Sequence, residues 1–193
     1  MSRLTKSLVE EKELKQREIT RIMGMFELAS QCAWFITAFI TFLWIATSCT
    51  FLTKISFLPN INTSILFAYF FLFCMSEVQV SFLISVFFSN SKLAAIFAPV
   101  FLFMTVLPRF AFLNTNANEV AQSKYLACLL PATAFSFGAD IIANYESSAL
   151  GVQYSNWADG SFNFLGVLGF LLLDIFIYGG LAWLDFFTDY WPN

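Results

Sequence analysis

Two carboxyl groups lie where charge is hardest to keep. Glu77 is the sole charged residue between Thr63 and Phe88, and Asp174 sits near the middle of an apolar run over residues 162–187. An ionised acid at the centre of a bilayer costs ~2.5–3.5 kcal/mol on the insertion scale, so each must face protein or water, not lipid. Two roles fit such residues. One is a substrate pathway or proton relay; the other is an inter-helix hydrogen bond made by a neutral or paired acid. Tyr178 stands one helical turn from Asp174, and Ser81 one turn from Glu77 with Gln79 close by, so each acid has a neighbour with which to share a proton or a face.

Other chemistry is harder to find. Histidine is absent, which removes the commonest metal ligand and the commonest general base together. Cys32, Cys49, Cys74 and Cys128 each lie in or beside an apolar run with no paired spacing, and fit small apolar filling better than metal ligation or a disulfide framework. Neither GxxxxGK[ST] nor GxGxxG occurs, and no nucleophile–base pair is readable, so the chain carries no phosphate-cradling motif. No cofactor is expected in it. Its 26 Phe residues suit helix packing and lipid contact better than an aromatic substrate box. Asn62-Thr63-Ser64 has the form of a glycosylation acceptor, but it abuts an apolar segment.

The elements that hold these acids follow from composition and patterning. Hydrophobic residues make up 59% of the 193 and charged residues 12%, against about 25% charged in an ordinary soluble domain. So few charges cannot cover a soluble surface, but a surface facing hydrocarbon needs no such cover. Six of the ten Lys and Arg fall in the first 21 residues and none follows Lys124, a distribution unlike the basic face of a nucleic-acid binder. Residues 1–27 are charged and lack the apolar core of a secretory signal.

Residues 4–23 predict a water-exposed amphipathic helix, with Glu11/Lys15 and Glu13/Arg17 in the favourable i,i+4 order and Gly24 as its stop. Crossing a ~30 Å hydrocarbon core takes ~20 apolar residues. Runs at about 29–53, 63–88, 93–113 and 162–187 qualify as spans, the third carrying Pro99 and Pro108. Prolines are tolerated there when neighbours re-satisfy the freed carbonyls. Residues 114–124 read as a polar loop, and 151–161 as an interfacial loop with aromatic anchors. Between these loops, residues 125–142 are apolar for one span's length but hold Pro131, Gly138 and Asp140. A further full span and a re-entrant helical hairpin over about 125–150 are both compatible with that pattern. Six cations before the first span and Lys92 lie on one side, with Lys54, Arg109 and Lys124 opposite. The imbalance predicts a cytoplasmic N-terminus. The expectation is an all-α, polytopic transmembrane helical bundle (28–193) preceded by a cytoplasmic segment (1–27).

Several segments together resemble the transmembrane domain of the A subfamily of ABC transporters, the lipid-exporter type. They are Glu11-Lys12-Glu13-Leu14-Lys15 running on to Ile22-Met23-Gly24; Trp34-Phe35-Ile36; Phe82-Leu83-Ile84-Ser85 through Phe87-Phe88-Ser89; Leu129-Leu130 with Thr133-Ala134-Phe135; Gly151-Val152-Gln153 with Asn156; and Asp174 with Tyr178-Gly179. The resemblance implies four spans with both ends cytoplasmic, and a hairpin over 125–150 that dips into the membrane from outside. It also implies that residues 4–24 couple to a nucleotide-binding domain, with Glu11, Lys12, Lys15, Arg21, Met23 and Gly24 as the candidate contacts. The partners it implies are membrane lipids, that domain and the rest of the transmembrane domain, with ATP bound outside this chain. The chain itself is not expected to be an enzyme.

The sequence departs from the family pattern in places. The family's first two helices, its large extracellular domain and its ATP-binding domain are not in this sequence, and Met1 to Leu8 is polar where the end of a span is expected, so the chain reads as truncated. Pro131 stands one position before the expected Ser-Pro pair, and Glu77 occupies a position the family usually leaves uncharged. Two other readings fit these departures: a stand-alone scaffold or non-functional transporter fragment, and an ion-coupled carrier using Glu77 and Asp174. The second of these lacks visible inverted repeats.

Overall fold

The structure, a computed structural model, describes the backbone of residues 1–15, 22–23, 27–112 and 121–190, and the side chains of these except 27–31 and 185–190. Its described residues form seven helices: α1 (Ser2–Glu13), α2 (Glu27–Ser56), α3 (Thr63–Phe87), α4 (Ser91–Phe110), α5 (Ala121–Ala127), α6 (Pro131–Ser147) and α7 (Phe164–Tyr190). Four of these, α2, α3, α4 and α7, are long and apolar enough to cross a membrane. The fold is an all-helical polytopic bundle.

Local chemistry sets the helix ends. Asn62 and Asn90 are the N-caps of α3 and α4, their side-chain oxygens accepting from the amides of Ser64 at 3.0 Å and Lys92 at 3.0 Å. Pro131 opens α6, where its missing N–H leaves nothing unsatisfied. The expected end of the first span at residue 53 is passed. α2 continues through Lys54 to Ser56, and the Lys54 ammonium donates to the carbonyls of Pro59, at 2.8 Å, and Ile61 in the turn that follows.

α3 is the central post. It packs against α7, α2, α1 and α6. Ile65, Leu66 and Tyr69 meet Phe164, Val167 and Leu171 of α7 and Phe137 of α6 in the main core. By contrast α2 packs chiefly on α3 and turns Ala38, Ala46 and Thr50 inward while Phe39, Ile40, Trp44 and Phe51 stay exposed. Small residues on the packed face and large apolar ones outside suit a helix in lipid, where close backbone approach and not hydrophobic exclusion drives association. The hydroxyls of Thr37, Thr41 and Ser48 on this outer side bond to carbonyls four residues back, so these three are not bare toward hydrocarbon.

The single water-exposed helix expected over 4–23 is corrected. α1 stops at Glu13, Leu14 turns, and Lys15 takes φ 52°. Thr5, Leu8 and Val9 are buried against α3 and α4. Met1 packs near Val80, Ile84 and Ala98, so α1 runs beside α3 instead of lying apart from the bundle. Pro99 explains part of this docking. It cannot donate to the Ala95 carbonyl, and the Ser2 hydroxyl takes that carbonyl at 2.8 Å. Residues 16–21 and 24–26 lie outside the described residues, as do most of the loop expected at 114–124 and the side chains of Asp185 and Asp189.

The ambiguous stretch after residue 124 is broken by a turn at Cys128–Leu130 between α5 and α6. α6 lies against α4, α7 and α3, held by three contacts. The Thr133 hydroxyl donates to the Thr105 carbonyl of α4, and the Tyr69 hydroxyl donates to the Phe135 carbonyl. Arg109 grips Asp140 through both carboxylate oxygens, at 3.0 and 2.5 Å. The chain then returns through Gly151, at φ +62°, where a Cβ would sit 2.4 Å from the Asn60 backbone. The Asn62 amide there donates to the Val152 carbonyl at 3.0 Å.

Candidate functional site

Asp174 is fully buried on α7, and neither of its carboxylate oxygens has a hydrogen-bond partner. Glu77 is 6% exposed on α3, and its Oε2 is also without a partner. The neighbours expected to serve them are engaged elsewhere. The Tyr178 hydroxyl donates at 2.8 Å to the carbonyl of Leu129 in the hairpin turn. The Ser81 hydroxyl donates to the backbone carbonyl of Glu77, not to its side chain, at 2.8 Å. The Asp174–Tyr178 hydrogen bond anticipated from spacing is therefore absent, because the broken backbone of the turn offers an unpaired carbonyl that competes for the phenol. Tyr178 nonetheless packs against the cluster of Val80 and Ile84 on α3, the helix that carries Glu77. The structure thus brings both acids and Tyr178 to one region where α3, α7 and the turn before α6 meet. Gln79, beside Glu77 in sequence, instead lies against Gly179, whose absent side chain leaves room for it.

At the end of the bundle bearing Glu13, the last turn of α1 reaches three helices. Glu11 accepts from the Trp34 indole N–H of α2 at 2.7 Å. The Lys12 ammonium donates to the Val86 carbonyl of α3 at 3.2 Å, and Glu13 accepts from the Ser91 amide of α4 at 3.0 Å. The Val86 carbonyl lies in the last turn of α3 and Ser91 in the first of α4, so each bond supplies a partner that the helix itself lacks. Hydrogen bonds from the Ser91 hydroxyl and amide hold the Glu13 carboxyl below its ordinary 4.5, with Lys92 adding to the effect. A lowered folded-state value means that Glu13 stabilises the fold above pH 4.5, and that the contribution is lost as pH falls through the lower value. Protection of the Ser91 amide against hydrogen exchange, relative to a peptide reference, is expected to drop only below that pH.

Of the candidate coupling residues, Glu11 and Lys12 are thus turned into the bundle. Lys15 follows them in the turn that ends α1, Met23 is exposed, and Arg21 and Gly24 lie outside the described residues. Reading the sequence missed Glu13 as a helix cap and Arg109–Asp140 as a pair. The i,i+4 spacing of Glu13 pointed to Arg17, whereas a carboxylate seeks the nearest unpaired amides, here supplied by a helix 78 residues away in sequence.

Similarity to known proteins agrees with this architecture. Residues 1–184 match the family described as ABC-2 family transporter protein. ATP-binding cassette sub-family A member 17 of Rattus norvegicus is 30% identical over 188 residues, covering 94% of this chain and 11% of the relative. Retinal-specific phospholipid-transporting ATPase ABCA4 of Bos taurus is 32% identical over 95% of this chain and 8% of its own length. Glucosylceramide transporter ABCA12 of Homo sapiens is 34% identical over 92% and 7%. This chain therefore spans about a tenth of the length of the curated relatives it matches. A helical bundle with four bilayer-length helices, matched along nearly its whole length, belongs to the ABC-2 family of transporter proteins and corresponds to part of the membrane domain of the A subfamily.

Proposed function

We propose that the chain is the membrane-spanning permease part of an ATP-driven exporter of lipids or other hydrophobic molecules. The observation that carries this reading is the similarity, over more than nine-tenths of the chain, to relatives named for phospholipid and glucosylceramide transport. The exposed apolar faces of α2 and α4, including Trp44, Phe51, Phe103 and Leu107, support it, because lipid substrates can slide along such walls without a polar recognition motif. The chain works joined to nucleotide-binding domains and to further membrane helices; ATP binds there. The stretch after α1, through Lys15, Arg21, Met23 and Gly24, meets the nucleotide-binding domain on the cytoplasmic side. Two features support that side: the excess of cations in the first 21 residues and the grouping of the α1 end with the turn that carries Lys92. The α5–α6 hairpin enters the membrane from the opposite side, its irregular turn covered by protein.

The buried acids take the functional role of the two open from sequence. A structural acid needs a partner to hold helices together, and Asp174 has none; the pair marks a polar spot on the substrate route beneath the hairpin turn. The test is to reconstitute the transporter assembly containing this chain into liposomes with a fluorescent phospholipid. ATP-dependent movement of the lipid between leaflets is the expected result. Movement driven by a pH gradient without ATP would instead identify an ion-coupled carrier, and none under either condition a scaffold.

A further inference from the structure

Consecutive residues of an α-helix project about 100° apart, so three in a row ordinarily cannot all face one neighbour. At the end of α1, Glu11, Lys12 and Glu13 all make contacts, because the ends of α2, α3 and α4 surround the turn. Glu11 holds Trp34, Lys12 the Val86 carbonyl and Glu13 the Ser91 amide. Immediately afterwards the helix ends in a turn at Lys15, in a left-handed conformation (φ 52°) that side chains other than glycine seldom adopt. We propose that these three residues form a clasp through which the segment after α1 drives the inner ends of α2, α3 and α4 as one body.

The inference rests on the reading that this segment meets a nucleotide-binding domain, and it assigns the clasp residues as positioning residues for transport. Its sharpest element is the Glu11–Trp34 bond. α3 and α4 already pack along α1, whereas α2 packs chiefly on α3. α2 otherwise follows α3 and the covalent chain, and the indole N–H adds a direct tie between the end of α1 and α2. Glu13 plays the matching part for α4, occupying the N-terminal end where the helix dipole favours a carboxylate. Neither role follows from α1 as a packing element, since its buried residues Thr5, Leu8 and Val9 lie earlier in the helix.

The experiment uses the transporter assembly containing this chain in lipid nanodiscs and liposomes. It measures ATP hydrolysis, fluorescent-phospholipid movement and hydrogen exchange of the segment from Phe88 to Leu93. The variants are the pair Glu11→Ala/Glu13→Ala, the pair Glu11→Gln/Glu13→Gln, and Trp34→Phe, which keeps a ring in place and guards against loss by misfolding. Losing charge-assisted bonds, the alanine pair is expected to lower lipid moved per ATP about tenfold while hydrolysis stays within about twofold. It should also raise exchange across Phe88–Leu93. The glutamine pair, whose amide oxygens still accept, keeps the ratio within about twofold. Trp34→Phe lowers the ratio without raising exchange at Ser91. A wild-type ratio in the alanine pair, or equal loss in the glutamine pair, overturns the clasp. If the unsubstituted assembly moves no lipid with ATP, the permease reading falls instead, and the exchange measurement still judges the clasp: unchanged protection in the alanine pair refutes it.

Discussion

Asp174→Leu is expected to make the protein more stable and less active at once. The acid is fully buried and neither of its oxygens has a partner, so it contributes desolvation cost without compensating bonds. Replacing even a buried ion pair by apolar residues of similar volume is often neutral or stabilising by about 1–4 kcal/mol, and a lone acid lacks the Coulombic gain that such a pair retains. Tyr178 loses nothing in the exchange, because its hydroxyl is bonded to Leu129. The apparent Tm of the detergent-solubilised assembly should therefore rise, while ATP-dependent lipid movement falls by about tenfold or more, the loss of roughly one polar contact to the moving molecule. Asp174→Asn should leave Tm near the starting value and reduce transport less. If instead both variants melt earlier and transport persists in proportion to folded protein, the acid is a helix-packing group and its place on a substrate route is refuted.

Gly138→Val is expected to detach the hairpin from the central post. A Cβ at this position would lie 2.5 Å from Cε2 of Tyr69 and 3.0 Å from its Cζ and hydroxyl oxygen. The ring cannot withdraw. It is 2% exposed, stacks on Phe135 at 4.8 Å with 7° between planes, touches Phe70 and Phe164 at 5.6 and 5.5 Å, and is tied by its hydroxyl to the Phe135 carbonyl. Overpacking of this kind costs about 1–3 kcal/mol, more than the few tenths of a kcal/mol, roughly, that valine gains over glycine in intrinsic propensity inside α6. A lower Tm and faster proteolysis between α6 and α7 are the readouts. Since residues in contact are not additive, Tyr69→Leu combined with Gly138→Val should recover part of the loss. Full additivity of the two substitutions would show that the clash is not the cause.

The two substitutions probe different parts of one arrangement. Tyr69 braces α6 from the side, while Arg109–Asp140 and Thr133–Thr105 fasten it to α4. The turn at the start of α6 is thereby held where the Leu129 carbonyl can take Tyr178. Asp174 stays buried on α7 with no hydrogen-bond partner on either oxygen.

The linear sequence was sufficient for the bilayer-length helices, since uncharged runs of span length admit little else, but it left a full span and a broken hairpin both open in the stretch after residue 124. It also located Glu77 and Asp174 as the buried acids, because nothing apolar surrounds a charge by accident over so many residues. What it left undecided is who bonds to whom. Spacing paired Asp174 with Tyr178, Glu77 with Ser81 and Glu13 with Arg17, all within one turn. Folding supplied stronger or nearer partners for Tyr178, Ser81 and Glu13: the free carbonyl of a broken turn, a backbone oxygen, the unpaired amide of a helix start. Such partners are backbone groups exposed only where elements end and meet, and their identity depends on packing between segments dozens of residues apart. The docking of α1 into the bundle has the same origin, in the Ala95 carbonyl that Pro99 leaves unbonded until Ser2 reaches it.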